Sequence, residues 1–440
     1  MKHLISTVAL LLVGAVSTEA QMKLSVSEAI EIALSENPTI KVAELEVERY
    51  DYVRKTTFGS LLPQVSVSGD YMRTLKNQSM AEGFTLGSNQ YNTFTASADV
   101  SLALYVPAVY RTLKMNKIEA ESAVESARSS RIDLVAAVKQ GFYNILLAQK
   151  SLVVMEKSYA TAKQTADDTQ VMFDNGLASE YDLLTAQVQQ SNIEPTIIQL
   201  RNSIGIAKDL LKMYLSIPED ISIDVTGELE QLKDAVITGF TTMTNDISQN
   251  STLKSLDIQS DLLAQSQKVS NAARLPTLAA WGNYTYTGNN MGSFDLTGTG
   301  ASTTSNSYFW QGPAYVGVSL SVPIFAGLSN TYRARQISNQ IEQLSLQRTY
   351  TEESIKLSVH TAISDLITAR EQMMAQQVVV EQATKAHAIS NTRYQAGAGT
   401  ILELNSAVLA LTQAELNYSQ AIYDLLVARS EYDKIIGKEN

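Results

Sequence analysis

Apolar positions along Leu404–Ile435 recur in steps of three and four: Leu404, Ala407, Leu411, Ala414, Tyr418, Ala421, Leu425, Ala428, Tyr432 and Ile435. This is the heptad rhythm of a helix packed along one seam. The same rhythm runs 221 residues earlier, through Leu183, Ala186, Gln190, Ile193, Ile197, Leu200, Ile204, Ala207, Leu211 and Tyr214. Two helices with one pattern at one offset predict a chain built twice, as repeats over 21–226 and 227–440.

In the first repeat, residues 24–60 read as two helices divided at Asn37-Pro38, with Ser27 as candidate N-cap. Over 64–104 the period shortens to two. Val65, Val67, Gly69 and Tyr71 share one face, as do Phe94, Ala96, Ala98, Val100, Leu102 and Leu104, with Ser, Thr and Asp on the other. Strands of about ten residues suit a tilted bilayer crossing. Residues 110–173 predict one helix of roughly 95 Å, 174–178 a turn, and 179–215 a returning helix with Pro195 inside it. An irregular stretch, 216–232, holds a possible short strand at 221–225.

The second repeat predicts helices at 233–248 and 251–274, and a strand pair over 277–322 around a polar loop at 288–307. A long helix (328–394), a turn (395–399) and a helix (400–436) follow. Lys41, Leu62, Pro63, Gly69 and Tyr71 recur 213 residues later as Lys254, Leu275, Pro276, Gly282 and Tyr284. Tyr308, Phe309 and Trp310 stand before the last strand as candidate interfacial aromatics.

Four strands per chain cannot close a barrel, because the smallest membrane barrels have about eight. An open edge cannot sit in lipid. Several chains must therefore lend strands, and three copies give about twelve, enough for a pore. The expected fold is mainly α with membrane β: a duplicated chain giving a trimeric β-barrel continued by a long α-helical barrel. A secreted structural or adhesive coiled-coil protein with β hairpins is the alternative.

Composition narrows the chemistry. The net charge of -11 argues against a nucleic-acid partner, and the absence of Cys excludes disulfides and thiolate sites. Residues 1–20 read as a secretory signal peptide: Lys2, a short apolar run, then Thr18-Glu19-Ala20. His360 and His387 lie 27 residues apart, which argues against a metal site. No nucleophile–base constellation or phosphate loop is present, so neither an enzyme nor a cofactor is expected.

Phe173-Asp174-Asn175-Gly176-Leu177-Ala178-Ser179 with Asp182-Leu183, and Tyr394-Gln395-Ala396-Gly397-Ala398-Gly399-Thr400 with Glu403-Leu404, resemble the helix–turn–helix tips of the TolC family of outer-membrane efflux channels. The Leu61-Leu62-Pro63 and Leu275-Pro276 strand starts match as well. The resemblance implies a homotrimeric exit duct for efflux or type I secretion. It would lie in the outer membrane, extend into the periplasm, and dock to a periplasmic adaptor and an inner-membrane transporter. It also implies a constriction at the tips. Glu403 would line it and Tyr394 matches a gate tyrosine, while Asp182 is either a helix cap or a third gate residue. Asn175, Gly176, Leu177, Ala396, Gly397 and Ala398 would touch the adaptor. Two positions depart from the pattern: Gly399 stands at the family's basic gate residue and Ser406 at its second acid.

Overall fold

The computed structural model describes residues 22–75, 90–238, 243–291 and 308–439. The leader expected at 1–20 lies outside them, as does most of the loop inside each strand pair. The first half of the chain holds β1 (Met22–Leu24), α1 (Val26–Glu36), α2 (Pro38–Gly59), β2 (Gln64–Arg73), β3 (Gln90–Tyr105), α3 (Pro107–Asp174), α4 (Glu180–Leu215) and β4 (Ile223–Val225). The second holds α5 (Leu229–Thr238), α6 (Ser251–Ala272), β5 (Thr277–Met291), β6 (Tyr308–Gln311), β7 (Ala314–Ser321), α7 (Ser329–Gln395) and α8 (Ile401–Ile435). Two compact units result, and each draws on both halves of the chain: residues 1–45, 124–255 and 348–440 form one, 46–123 and 256–347 the other.

The first unit is helical apart from a parallel β1–β4 pair. Its core gathers Val138, Phe142 and Ile145 of α3, Leu211 and Leu215 of α4, Leu366 and Met373 of α7, and Ile422 and Leu425 of α8. Every predicted seam position on α4 and α8 is buried or half-buried. On α8 a second row sinks too, including Val408, Thr412, Ser419, Ile422 and Leu426, so this helix is covered on a broad face. On α4 the neighbouring apolar row stays in the open: Tyr181, Leu184, Val188, Ile198, Ile206 and Met213 are all exposed.

Two local assignments differ from the sequence reading. Ser25, not Ser27, caps α1: its Oγ accepts the Glu28 N–H, and the Glu28 carboxylate accepts the Ser25 N–H at 2.8 Å. The reciprocal bonds need an acid three residues on, which Ser27 lacks. The helix expected over 233–248 starts earlier, at Leu229, and residues 243–248 are not helical. There the Asp246 N–H bonds Thr244 Oγ1 at 3.0 Å and the Ser248 N–H bonds Asp246 Oδ1 at 2.8 Å. Such side-chain acceptors compete directly with a helix for backbone donors.

The second unit carries an antiparallel sheet in the order β2-β3-β5-β6, with β7 also paired to β5. Alternation sorts its two faces as expected. One is polar: Ser68 and Ser97 hydroxyls meet at 3.0 Å, and Asn283 Nδ2 donates to Asp99 Oδ1 at 2.7 Å. The other is apolar and open, with Val67, Val316, Val318 and Leu320 each 65% exposed or more.

Tyr308–Gln311, expected to stand before the last strand, form a short strand of their own, separated from β7 at Gly312-Pro313, where proline brings no N–H to the ladder. Residues 288–291, expected in a loop, extend β5. Two aromatics fall on the polar face, where the alternation expected only small side chains. Trp281 is in register with Ser101 and Gly317, and Tyr315 with Asn283. A Cβ on Gly317 would stand 2.9 Å from the Trp281 ring, so the indole lies over bare backbone.

Candidate functional site

Both long helices end in the same turn. At the first, the Leu177 N–H bonds Met172 O at 2.7 Å and the Gly176 N–H bonds Phe173 O at 2.9 Å. At the second, Ala398 bonds Arg393 O at 2.8 Å and Gly397 bonds Tyr394 O at 2.9 Å. These are paired 6→1 and 5→2 bonds around a left-handed residue, the Schellman arrangement. The left-handed residue is Gly176 (φ 73°) in one turn and Gly397 (φ 69°) in the other. Asn175, Gly176, Leu177, Ala396, Gly397 and Ala398 all lie exposed in these turns, Leu177 to 79%.

The acids that follow the turns behave differently. Ser179 caps α4, and Asp182 returns the bond: its carboxylate accepts from Ser179 N at 3.2 Å and Ser179 Oγ at 2.7 Å. Asp182 is thus engaged as half of a capping box. Thr400 caps α8 and accepts the Glu403 N–H at 3.2 Å, but no return bond joins Glu403 to Thr400. The Glu403 carboxylate turns instead toward Arg393, 3.7 Å away. Arg393 also donates to Ala398 O at 3.1 Å, so its guanidinium ties the end of α7, the turn and the start of α8 together.

Tyr394 links the two arms. Its hydroxyl lies 2.8 Å from that of Thr169, and its ring packs against Ala166, Ala186 and Ile401. The corresponding residue of the first turn is Phe173, which carries no hydroxyl. Among the described residues, no group of three His, Asp or Glu side chains is arranged to hold a metal ion. The structure therefore brings Tyr394, Glu403 and the second turn into one cluster and leaves Asp182 in its own cap. Arg393 is the member that the sequence reading missed. Its signal was present, because it is the one Lys or Arg between Lys385 and Arg429.

The candidate aromatics belong to the sheet unit. Trp310 stacks on Tyr286 with centroids 5.1 Å apart, and Tyr308 contacts Phe94 at 5.7 Å. Both sit on the apolar face. Phe309 is in register with Asn289 and points to the polar face, so the predicted triplet is split by the pleat.

Comparison with known proteins places this geometry. The family model described as outer membrane efflux protein matches residues 29–215 and 245–438. The chain is 22% identical over 390 residues to the outer membrane protein TolC of Vibrio cholerae, covering 86% of this chain and 82% of that protein. It is also 22% identical over 414 residues to the alkaline protease secretion protein AprF of Pseudomonas aeruginosa, covering 93% and 84%. Among solved structures, the Campylobacter jejuni CmeC outer membrane channel superposes with a TM-score of 0.71 at 16% identity, covering 94% of this chain and 85% of that one.

Proposed function

Because the chain belongs to the outer membrane efflux protein family, and is an outer-membrane channel with no enzymatic step, we propose that it works as the homotrimeric exit duct of a tripartite efflux or type I secretion system. In this reading a periplasmic adaptor and an inner-membrane transporter supply the opening and the energy. The observation that carries the trimer is the unfinished sheet. Among the described residues, β2 at one side and β6 and β7 at the other each pair on one edge only. Their free edges and the exposed valines of the apolar face are tenable in lipid only if further copies complete the ring. The exposed apolar row of α4 supports the same conclusion, because its spacing suits a second helix. Extraction into detergent should give a complex of three chains that dissociates on heating and conducts ions in steps across a planar bilayer. A water-soluble, non-conducting single chain would refute the reading.

Docking to the adaptor through the turns is supported by Leu177 and Tyr181, which are 79% and 73% exposed beside the first turn. Leu177→Cys is expected to crosslink to the adaptor in the assembled pump, and a clean absence of product there would remove the turn from the interface. Glu403 and Tyr394 line the constriction in this reading, and Asp182 serves as a cap.

A further inference from the structure

We propose that Arg393 sets the charge of the constriction by masking Glu403 within each chain, and so keeps the passage open to anionic solutes. The proposal rests on the duct reading above. Three observations carry it. First, Arg393 stands alone: residues 164–200 and 386–428 contain no other Lys or Arg, yet the first turn region carries Asp167, Asp168, Asp174, Glu180 and Asp182, and the second Glu403. Second, the guanidinium is anchored rather than free, 3.7 Å from Glu403 and 3.1 Å from Ala398 O. Third, the space between them is made by Gly399. A Cβ there would stand 3.3 Å from Arg393 Cβ, from Glu403 Oε2 and from Tyr394 N. A side chain at 399 would crowd the contact, and its absence lets the cation reach the acid from the preceding helix.

The first arm has no such device. Met172 holds the position equivalent to Arg393, and Asp182 is engaged by Ser179. An exposed ion pair adds little stability. Its effect here is on the field: a ring of bare carboxylates at a narrow opening concentrates cations and repels anions. With Arg393 beside each Glu403, every added negative charge brings its own positive one.

The test uses the full chain reconstituted in planar bilayers, with reversal potentials in a potassium chloride gradient and block by hexaamminecobalt(III) added at the turn side. Wild type, Arg393→Gln, Arg393→Lys, Glu403→Gln and the Arg393→Gln/Glu403→Gln double variant are compared. Arg393→Gln should raise the cation-to-anion permeability ratio severalfold and lower the half-blocking concentration by about tenfold. Arg393→Lys should restore most of the wild-type behaviour, and the double variant should fall back to within about twofold of wild type. A single variant indistinguishable from wild type would overturn the proposal, as would a double variant that keeps the single variant's selectivity. A variant that fails to assemble would not stand in the way, since Glu403→Gln alone should shift selectivity toward anions, and no shift there overturns it too. Conduction by wild type with insensitive variants would sink this inference alone, whereas no conduction by wild type would sink the duct reading with it.

Discussion

The two helix–turn–helix arms share one backbone and divide the chemistry between them. Their turns superimpose bond for bond, down to a glycine at nearly the same φ. Their side chains do not correspond. The first arm ends in Phe173 and a closed capping box; the second ends in Tyr394 and a carboxylate left out of its cap and facing Arg393. The two arms thus share what the turn requires of the main chain and differ in their side chains. The turn is structure in both arms, and only the second sets an arginine beside its acid.

The largest expected difference between the arms lies in their stems. Tyr143 of α3 is 8% exposed, and burial, with Asp433 adding to it, pushes its phenol up to about 12. The equivalent position in α7 is Ser364, which is exposed. A raised folded-state value means the proton is held more tightly in the folded chain. The contribution is complete below pH 10 and is lost as pH rises from 10 through 12. It amounts to about 2–3 kcal/mol. Tyr143→Phe should flatten the alkaline limb of urea midpoints measured across that window, and Ser364→Ala should leave it unchanged.

The shared turn predicts equality next. A Cβ on Gly176 or Gly397 would meet nothing within 4 Å, so only the left-handed backbone opposes it. Gly176→Ala and Gly397→Ala should each cost about 1–2 kcal/mol. Unequal losses in thermal melts would show that the two turns are held differently.

Tyr394→Phe, which makes the second arm resemble the first, should cost about 1 kcal/mol through the lost Thr169 bond. Phe173→Tyr should return nothing. Open probability in bilayers would rise for Tyr394→Phe if the bond between the arms holds them closed, and an unchanged opening frequency would confine that hydroxyl to a packing role. The smallest contrast is in the caps: Asp182→Ala should cost about 0.5–1 kcal/mol and Glu403→Ala a few tenths, since only the former closes a box. Parity between them in melts would break the comparison.

Where a residue's role depends on its immediate neighbours in sequence, the chain was readable. Leu404, Leu411, Ala414, Leu425 and Tyr432 are buried where the three-four rhythm put them, and the pleat sorted Val67 from Ser68. What escaped depends on partners far along the chain or on competing acceptors. The short strand expected at 221–225 is present as β4, but its partner β1, some 200 positions away, leaves no local sign of the pairing. Thr244 and Asp246 divert the backbone of a stretch that otherwise reads as helix. The Arg393–Glu403 contact spans a whole turn and needs the bare backbone at Gly399, which sequence periodicity does not register.

The notch at Gly317 extends this to the sheet. The Trp281 indole rests where any β-carbon would collide with it. A single methyl group, Gly317→Ala, would therefore lift the bicyclic indole off the polar face of the sheet. In an assembled duct that displacement would recur in every subunit and narrow the passage at the sheet without adding or removing one charge.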